Sequence, residues 1–114
     1  MPKIFKIMEA TAYENAKASG WFEGAEIDLK DGYIHFSDAA QVEETARLYF
    51  AGRDNLMLLA VEADALGHAL KWEASRGGKL FPHLFAELDM SQVLWAKPLP
   101  WKDGMHHFPA ETFA

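Results

Sequence analysis

The sequence contains no cysteine among its 114 residues, so disulfide staples, thiolate metal sites and a cysteine nucleophile are all excluded. Long apolar runs are also missing: no stretch reaches the roughly 18 uninterrupted apolar residues of a membrane span. The start, MPKIFKIMEA, lacks the apolar h-region and cleavage site of a secretory signal. The expectation is a cytoplasmic protein with no membrane anchor. Positive charge is scarce and unclustered, with 11 Lys and Arg against 17 Asp and Glu for a net charge of −6. A nucleic-acid backbone demands clustered positive charge, so no nucleic-acid partner is expected. A small anionic ligand needs only one or two donors in a cleft and stays within reach.

Core-forming residues, by contrast, are plentiful. Half the residues are hydrophobic and 13% are aromatic, a composition that packs rather than stays disordered. The length suits one domain over residues 1–114 with a single core.

Alternation over Pro2–Met8 predicts a first strand, and Thr11 with Glu14 has the spacing of a capping box that opens a helix over 11–19, stopped by Gly20. Asp31-Gly32 is a turn signal leading into a strand over 33–36, with Ser37 read as the cap of a second helix over about 38–50. On that helix Val42, Ala46, Tyr49 and Phe50 share a stripe, and Glu43 with Arg47 makes an i,i+4 pair. LMLLAVEA reads as a buried central strand, DALG as a tight connection, and ALKWEAS as an antiparallel strand broken by Gly77-Gly78. Pro82 argues against a central strand, so LFPHLFAEL is expected as a loop entering a short strand. QVLWAKPLPW supplies one more strand, and residues 102–114 read as an irregular tail. The order β-α-β-α-β-β-β points to α+β, a mainly antiparallel sheet with two flanking helices.

Strand alternation places Tyr33, His35 and Ser37 on one face and Ile34 and Phe36 on the other, so phenol, imidazole and hydroxyl would face a cleft together. A structural role, with the imidazole bonded to a backbone carbonyl, is the alternative. His83 beside Pro82 offers a second imidazole in a fixed local backbone, and Glu73 on the preceding strand is a candidate catalytic or ribose-binding carboxylate. Arg76 and Lys79 flank a glycine pair that lacks phosphate-loop spacing but would still touch an anionic ligand. His106-His107 is not expected to bind metal, because adjacent residues of an extended segment point apart and His68 is isolated. No Ser-His-Asp set or nucleophile elbow is present.

GYIHFS, YFAGRDNLMLLAVEADALG, LKWE and FPHLFAEL, in that order and spacing, resemble the small bacterial family called domain of unknown function 952. The resemblance runs from IFKI to KPL. It implies a split, partly antiparallel β-core similar to the ADP-ribosylation fold, whose central cleft holds NAD in the transferases that share it. It further implies that His35 holds a ribose, and that Glu73 or His83 stabilises an oxocarbenium-like state or activates an acceptor. Tyr33, Ser37, Arg76 and Phe85 are the expected ligand-binding residues. Phe36 stands where the family often has cysteine. Phe85 stands where it often has tyrosine, which removes a phenol donor.

Two functions therefore compete. One is an NAD-binding cleft, with NAD as ligand or as the substrate of ADP-ribosyl transfer. The other is a non-enzymatic module that binds a small molecule or a protein partner, with Trp21, Trp95 and Trp101 as a contact surface.

Overall fold

β1 (Lys3–Glu9) is buried from Ile4 to Met8, which means that both faces of this strand are covered. Ile4 and Met8 enter one hydrophobic cluster and Phe5 and Ile7 another. The computed structural model describes residues 2–114. In it β1 pairs along its whole length with β5 (Leu56–Glu62), and β5 pairs with β9 (Val93–Leu99). β4 (Ser37–Asp38) completes an antiparallel sheet of order β4-β1-β5-β9. α1 (Ala10–Ser19) covers one face through Ala16 and Tyr13, and α3 (Val42–Tyr49) covers the other through Val42 and Ala46.

A second antiparallel sheet has the order β3-β7-β6, formed by β3 (Ile34–His35), β7 (Leu80–Leu84) and β6 (Leu70–Ala74). Two short pairs finish the fold: β2 (Trp21–Phe22) with β8 (Leu88–Asp89), and β10 (Trp101–Lys102) with β11 (Met105–His106). The architecture is α+β and mainly antiparallel. Among the described residues no helix is long and apolar enough to cross a membrane.

Several expectations change. The expected strand 33–36 is shorter and its continuation splits: β3 joins β7 while β4 joins β1, and Phe36 between them donates its amide to the Pro82 carbonyl at 3.0 Å. Pro82 itself lies in the central strand of its sheet, opposite Trp72. The missing amide is tolerated because it falls at Phe36, where the β3 ladder ends.

Ser37 is a strand residue rather than a helix cap; its hydroxyl lies 2.9 Å from that of Thr45 on α3. The Thr11–Glu14 box does not form, because α1 starts at Ala10, whose amide donates to the Asn55 carbonyl at 2.7 Å. Arg47 pairs with Glu44, not Glu43. The connection after β5 is a 3-10 segment, Ala63–Ala69, and the tail contains the β10–β11 hairpin.

A third helix, α2 (Glu26–Asp31), was not expected between two flanking helices. Six residues between glycine breaks carry too little periodicity to read. Gly24 lets α2 come close, since a Cβ there would stand 2.9 Å from that of Asp28, and its φ is +123°.

α2 is pinned to β1 by an ion pair inside the protein. Lys6 Nζ donates to both Asp28 oxygens, at 2.9 and 3.1 Å, and both residues are buried. Asp28 also accepts from the Ala25 amide at 2.7 Å and the His35 amide at 3.1 Å, and its Oδ1 is 2.6 Å from His35 Nδ1. Burial alone would raise this carboxyl. The His35 hydrogen bond, the Lys6 charge and the Ala25 amide outweigh it and hold the group at about 2. Burial pushes the Lys6 ammonium down, against the opposing pull of Asp28.

Removing Asp28 strands a buried ammonium and several donors. Asp28→Ala is therefore expected to lose about 3–5 kcal/mol in urea denaturation at pH 7. Lys6→Met should lose less, because the carboxylate keeps its other donors; an equal or smaller loss for Asp28→Ala would contradict this. The depressed carboxyl gives a pH signature as well. Its contribution is complete well above the ordinary value of 3.8 and disappears as pH falls towards 2. Roughly 2 kcal/mol is expected to go over that window. Asp28→Asn should lack this component of the acid slope.

Candidate functional site

One residue position decides where the cleft lies. In the segment 34–38, Ile34 and Phe36 direct their backbone groups to β7 and Ser37 directs its own to Phe5 of β1. His35 faces the β1 side as well, opposite Ile7 if the ladder continued. It does not continue: the His35 amide donates to the Asp28 carboxylate instead, and the Tyr33 amide donates to the Asp28 carbonyl at 3.2 Å. From that point β1 and β3 part. A cleft of about 930 Å³ opens there, lined by β1 from Phe5 to Glu9, by α2 and α3, and by Tyr33, His35 and His83.

Tyr33, His35, His83 and Phe85 form one aromatic group on a face of the β3-β7-β6 sheet. The Tyr33 ring lies 4.1 Å from His83, 4.7 Å from His35 and 5.1 Å from Phe85, centroid to centroid. The register explains the grouping, since His35 pairs with His83 across β3 and β7. Burial, with the charges of Asp31 and Glu73 nearby, raises the Tyr33 phenol.

The two histidines differ. His35 has both ring nitrogens engaged, Nδ1 with Asp28 at 2.6 Å and Nε2 with Asp31 at 2.9 Å. The ring lines the cleft as the alternation of the strand places it, and its two nitrogens are held by carboxylates rather than by a backbone carbonyl. His83 is buried and holds Glu73 through Nδ1 at 2.8 Å. A carboxylate accepts, so Nδ1 donates, and among the described residues Nε2 has no hydrogen-bond partner.

Across the cleft, Arg76 lies between two rings, its guanidinium carbon 4.8 Å from the Phe81 centroid and 5.6 Å from that of Tyr49. It donates to Thr45 Oγ1 at 3.2 Å and pairs with Glu44 at 3.0 Å. Ser37, Thr45 and Arg76 form a small polar end of the cleft.

Of the residues expected from sequence, Tyr33, His35, Ser37, Arg76 and His83 line the cleft. Glu73 stands behind His83, and Phe85 supports Tyr33 from outside the lining. Sequence reasoning missed Lys6, Asp28 and Asp31. Lys6 did carry a signal, being the sole charge within the apolar stretch Ile4–Met8, and a buried cation calls for a counter-ion. His106 and His107 bond through Nε2 to separate carbonyls, of Arg53 and Lys102. No three-residue metal cluster occurs among the described residues. Trp21 is half exposed, and Trp95 and Trp101 are partly buried.

None of the curated proteins matches this chain. The crystal structure of protein CC0527 from Caulobacter crescentus is similar at 49% identity and a TM-score of 0.89, covering 92% of this chain and 93% of that one. Its solution NMR structure is similar at 48% identity and a TM-score of 0.84, covering 93% and 91%. A crystallised double mutant of that protein gives 48% identity, a TM-score of 0.88 and coverage of 92% and 93%. The family model described as protein of unknown function (DUF952) matches residues 7–96, a span that includes Tyr33, His35, Ser37, Glu73, Arg76, His83 and Phe85. The breadth of that match shows the family: the chain belongs to the DUF952 family.

Proposed function

We propose that the cleft binds NAD or a related nucleotide, and that binding rather than turnover is its primary property. The observation that carries this reading is the tilted Tyr33–His83 ring contact, 4.1 Å between centroids, on one wall, facing a polar end formed by Arg76, Ser37 and Thr45. An aromatic wall of this kind suits a planar base or pyridine, and a guanidinium with two hydroxyls suits a phosphate. A volume of about 930 Å³ suits a ligand of that size. The family resemblance implies a split β-core similar to the ADP-ribosylation fold, and the parting of β1 and β3 supports that reading.

In this reading His83 is the active imidazole. Glu73 fixes its tautomer from behind, and Nε2 keeps a lone pair to accept a hydrogen bond from a ribose hydroxyl or a proton from an acceptor. His35 serves through its ring face and through Asp28 and Asp31, since both its nitrogens are occupied. That occupancy favours the second reading, a non-enzymatic small-molecule module, over transfer chemistry at His35.

Calorimetric titration with NAD, ADP-ribose and nicotinamide separately tests the reading. The wild type is expected to bind NAD below millimolar, with at least tenfold weaker binding for His83→Ala and for Arg76→Ala. No heat from any of the three ligands at millimolar concentration would remove the nucleotide reading. Phe85→Tyr offers a further check: because Phe85 only supports Tyr33, restoring the phenol should leave the NAD affinity within twofold, and a large gain would place position 85 in the ligand's reach.

A further inference from the structure

The cleft has a second wall, and it is a strand edge. Along β1 the even-numbered residues direct their backbone groups to β5, as the bonds from the Ala10 amide to Asn55 and from the Ala63 amide to Pro2 establish at the two ends. The odd-numbered residues face the other way. Phe5 finds Ser37 there, but the chain leaves β1 at Phe36, and nothing pairs with Ile7 or Glu9 on that side. Among the described residues the Ile7 amide, the Ile7 carbonyl and the Glu9 amide have no hydrogen-bond partner. The Glu9 carbonyl, at the start of α1, turns into the helix.

Unpaired edges inside a fold are uncommon because each orphan group costs free energy once water is excluded. Here the edge from Phe5 to Glu9 lines the cleft. It presents donor, acceptor and donor in one line over about 7 Å, the spacing of an antiparallel ladder. We propose that this edge accepts an extended peptide segment of a partner protein, running antiparallel to β1 and continuing the line that β4 abandons.

The two lips of the cleft match such a guest. Successive side chains of a strand point to opposite faces of its sheet. α2 lies on the Lys6 face and carries Ile27, 54% exposed; α3 lies on the Phe5 and Ile7 face and carries Tyr49, 61% exposed. Alternate guest residues would meet Ile27 on one face and Tyr49 on the other. Strand addition of this kind takes its affinity from main-chain hydrogen bonds and its selectivity from alternate side-chain contacts. The inference does not rest on nucleotide binding, although both ligands would occupy the same cleft and share Tyr49, which also flanks Arg76.

The absence of cysteine gives a clean test by disulfide tethering. Lys30→Cys on the α2 lip and Tyr49→Cys on the α3 lip, both at exposed positions, are each coupled to the amidated peptide Cys-Thr-Val-Thr-Val and followed by amide hydrogen exchange. In the free protein the Ile7 and Glu9 amides should exchange at least tenfold faster than those of Lys6 and Met8. The tethered peptide should slow Ile7 at least tenfold, and the same peptide with N-methylated backbone amides should not. No slowing from either attachment point would overturn the proposal. Slowing of Ile7 by NAD with none from the peptide would overturn it too, by assigning the edge to the nucleotide.

Discussion

The Asp28 carboxylate, buried in the seam between β1, α2 and β3, is the interaction on which the rest of the structure depends. It accepts from Lys6 on β1, from Ala25 at the start of α2, and from the His35 amide on β3. A regular sheet would give the last of these bonds to Ile7. By taking it, Asp28 lets β3 leave β1 without an orphan amide, and the cleft is the space that opens. A buried ion pair is by itself weak support for stability, because desolvating both charges offsets their attraction. What this pair supplies is geometry: the donors converge on one carboxylate and fix three elements at once.

That geometry separates the two histidines that the strand pairing brings together. His35 lies between Asp28 and Asp31, so its ring is held in place and its nitrogens are withdrawn from ligand chemistry. His83 has a carboxylate on one nitrogen only. The same sheet face therefore carries a positioned ring and an available one, with the Tyr33 ring tilted against both. Opposite them, Arg76 is held between Phe81 and Tyr49 and paired with Glu44, which fixes a guanidinium at the polar end of the cleft.

Much of this was legible from local pattern. β1 and β5 follow from apolar runs, α3 from its 3.6-residue stripe, and the shared face of Tyr33, His35 and Ser37 from alternation that persists through the switch at Phe36. The missed features are those set by distant partners. Asp28 is 22 residues from Lys6 in sequence, and six residues of α2 between Gly24 and Gly32 look like a turn-rich loop. Pro82 misled because the rule against proline in central strands presumes an amide needed on each residue, whereas Phe36 only donates to the Pro82 carbonyl and β3 ends there. Asp31 lies only four residues before His35, but the α2 helix that brings it and Asp28 onto the two ring nitrogens is what the sequence hides.

Asp28 stays ionised inside the protein because its donors converge on it. Its side-chain carboxyl 13C shift, followed by NMR as a function of pH, tests this most directly. The midpoint is expected at about 2, with the His35 amide resonance moving in step. A midpoint at or above the ordinary value of 3.8, with the His35 amide unmoved, would contradict it.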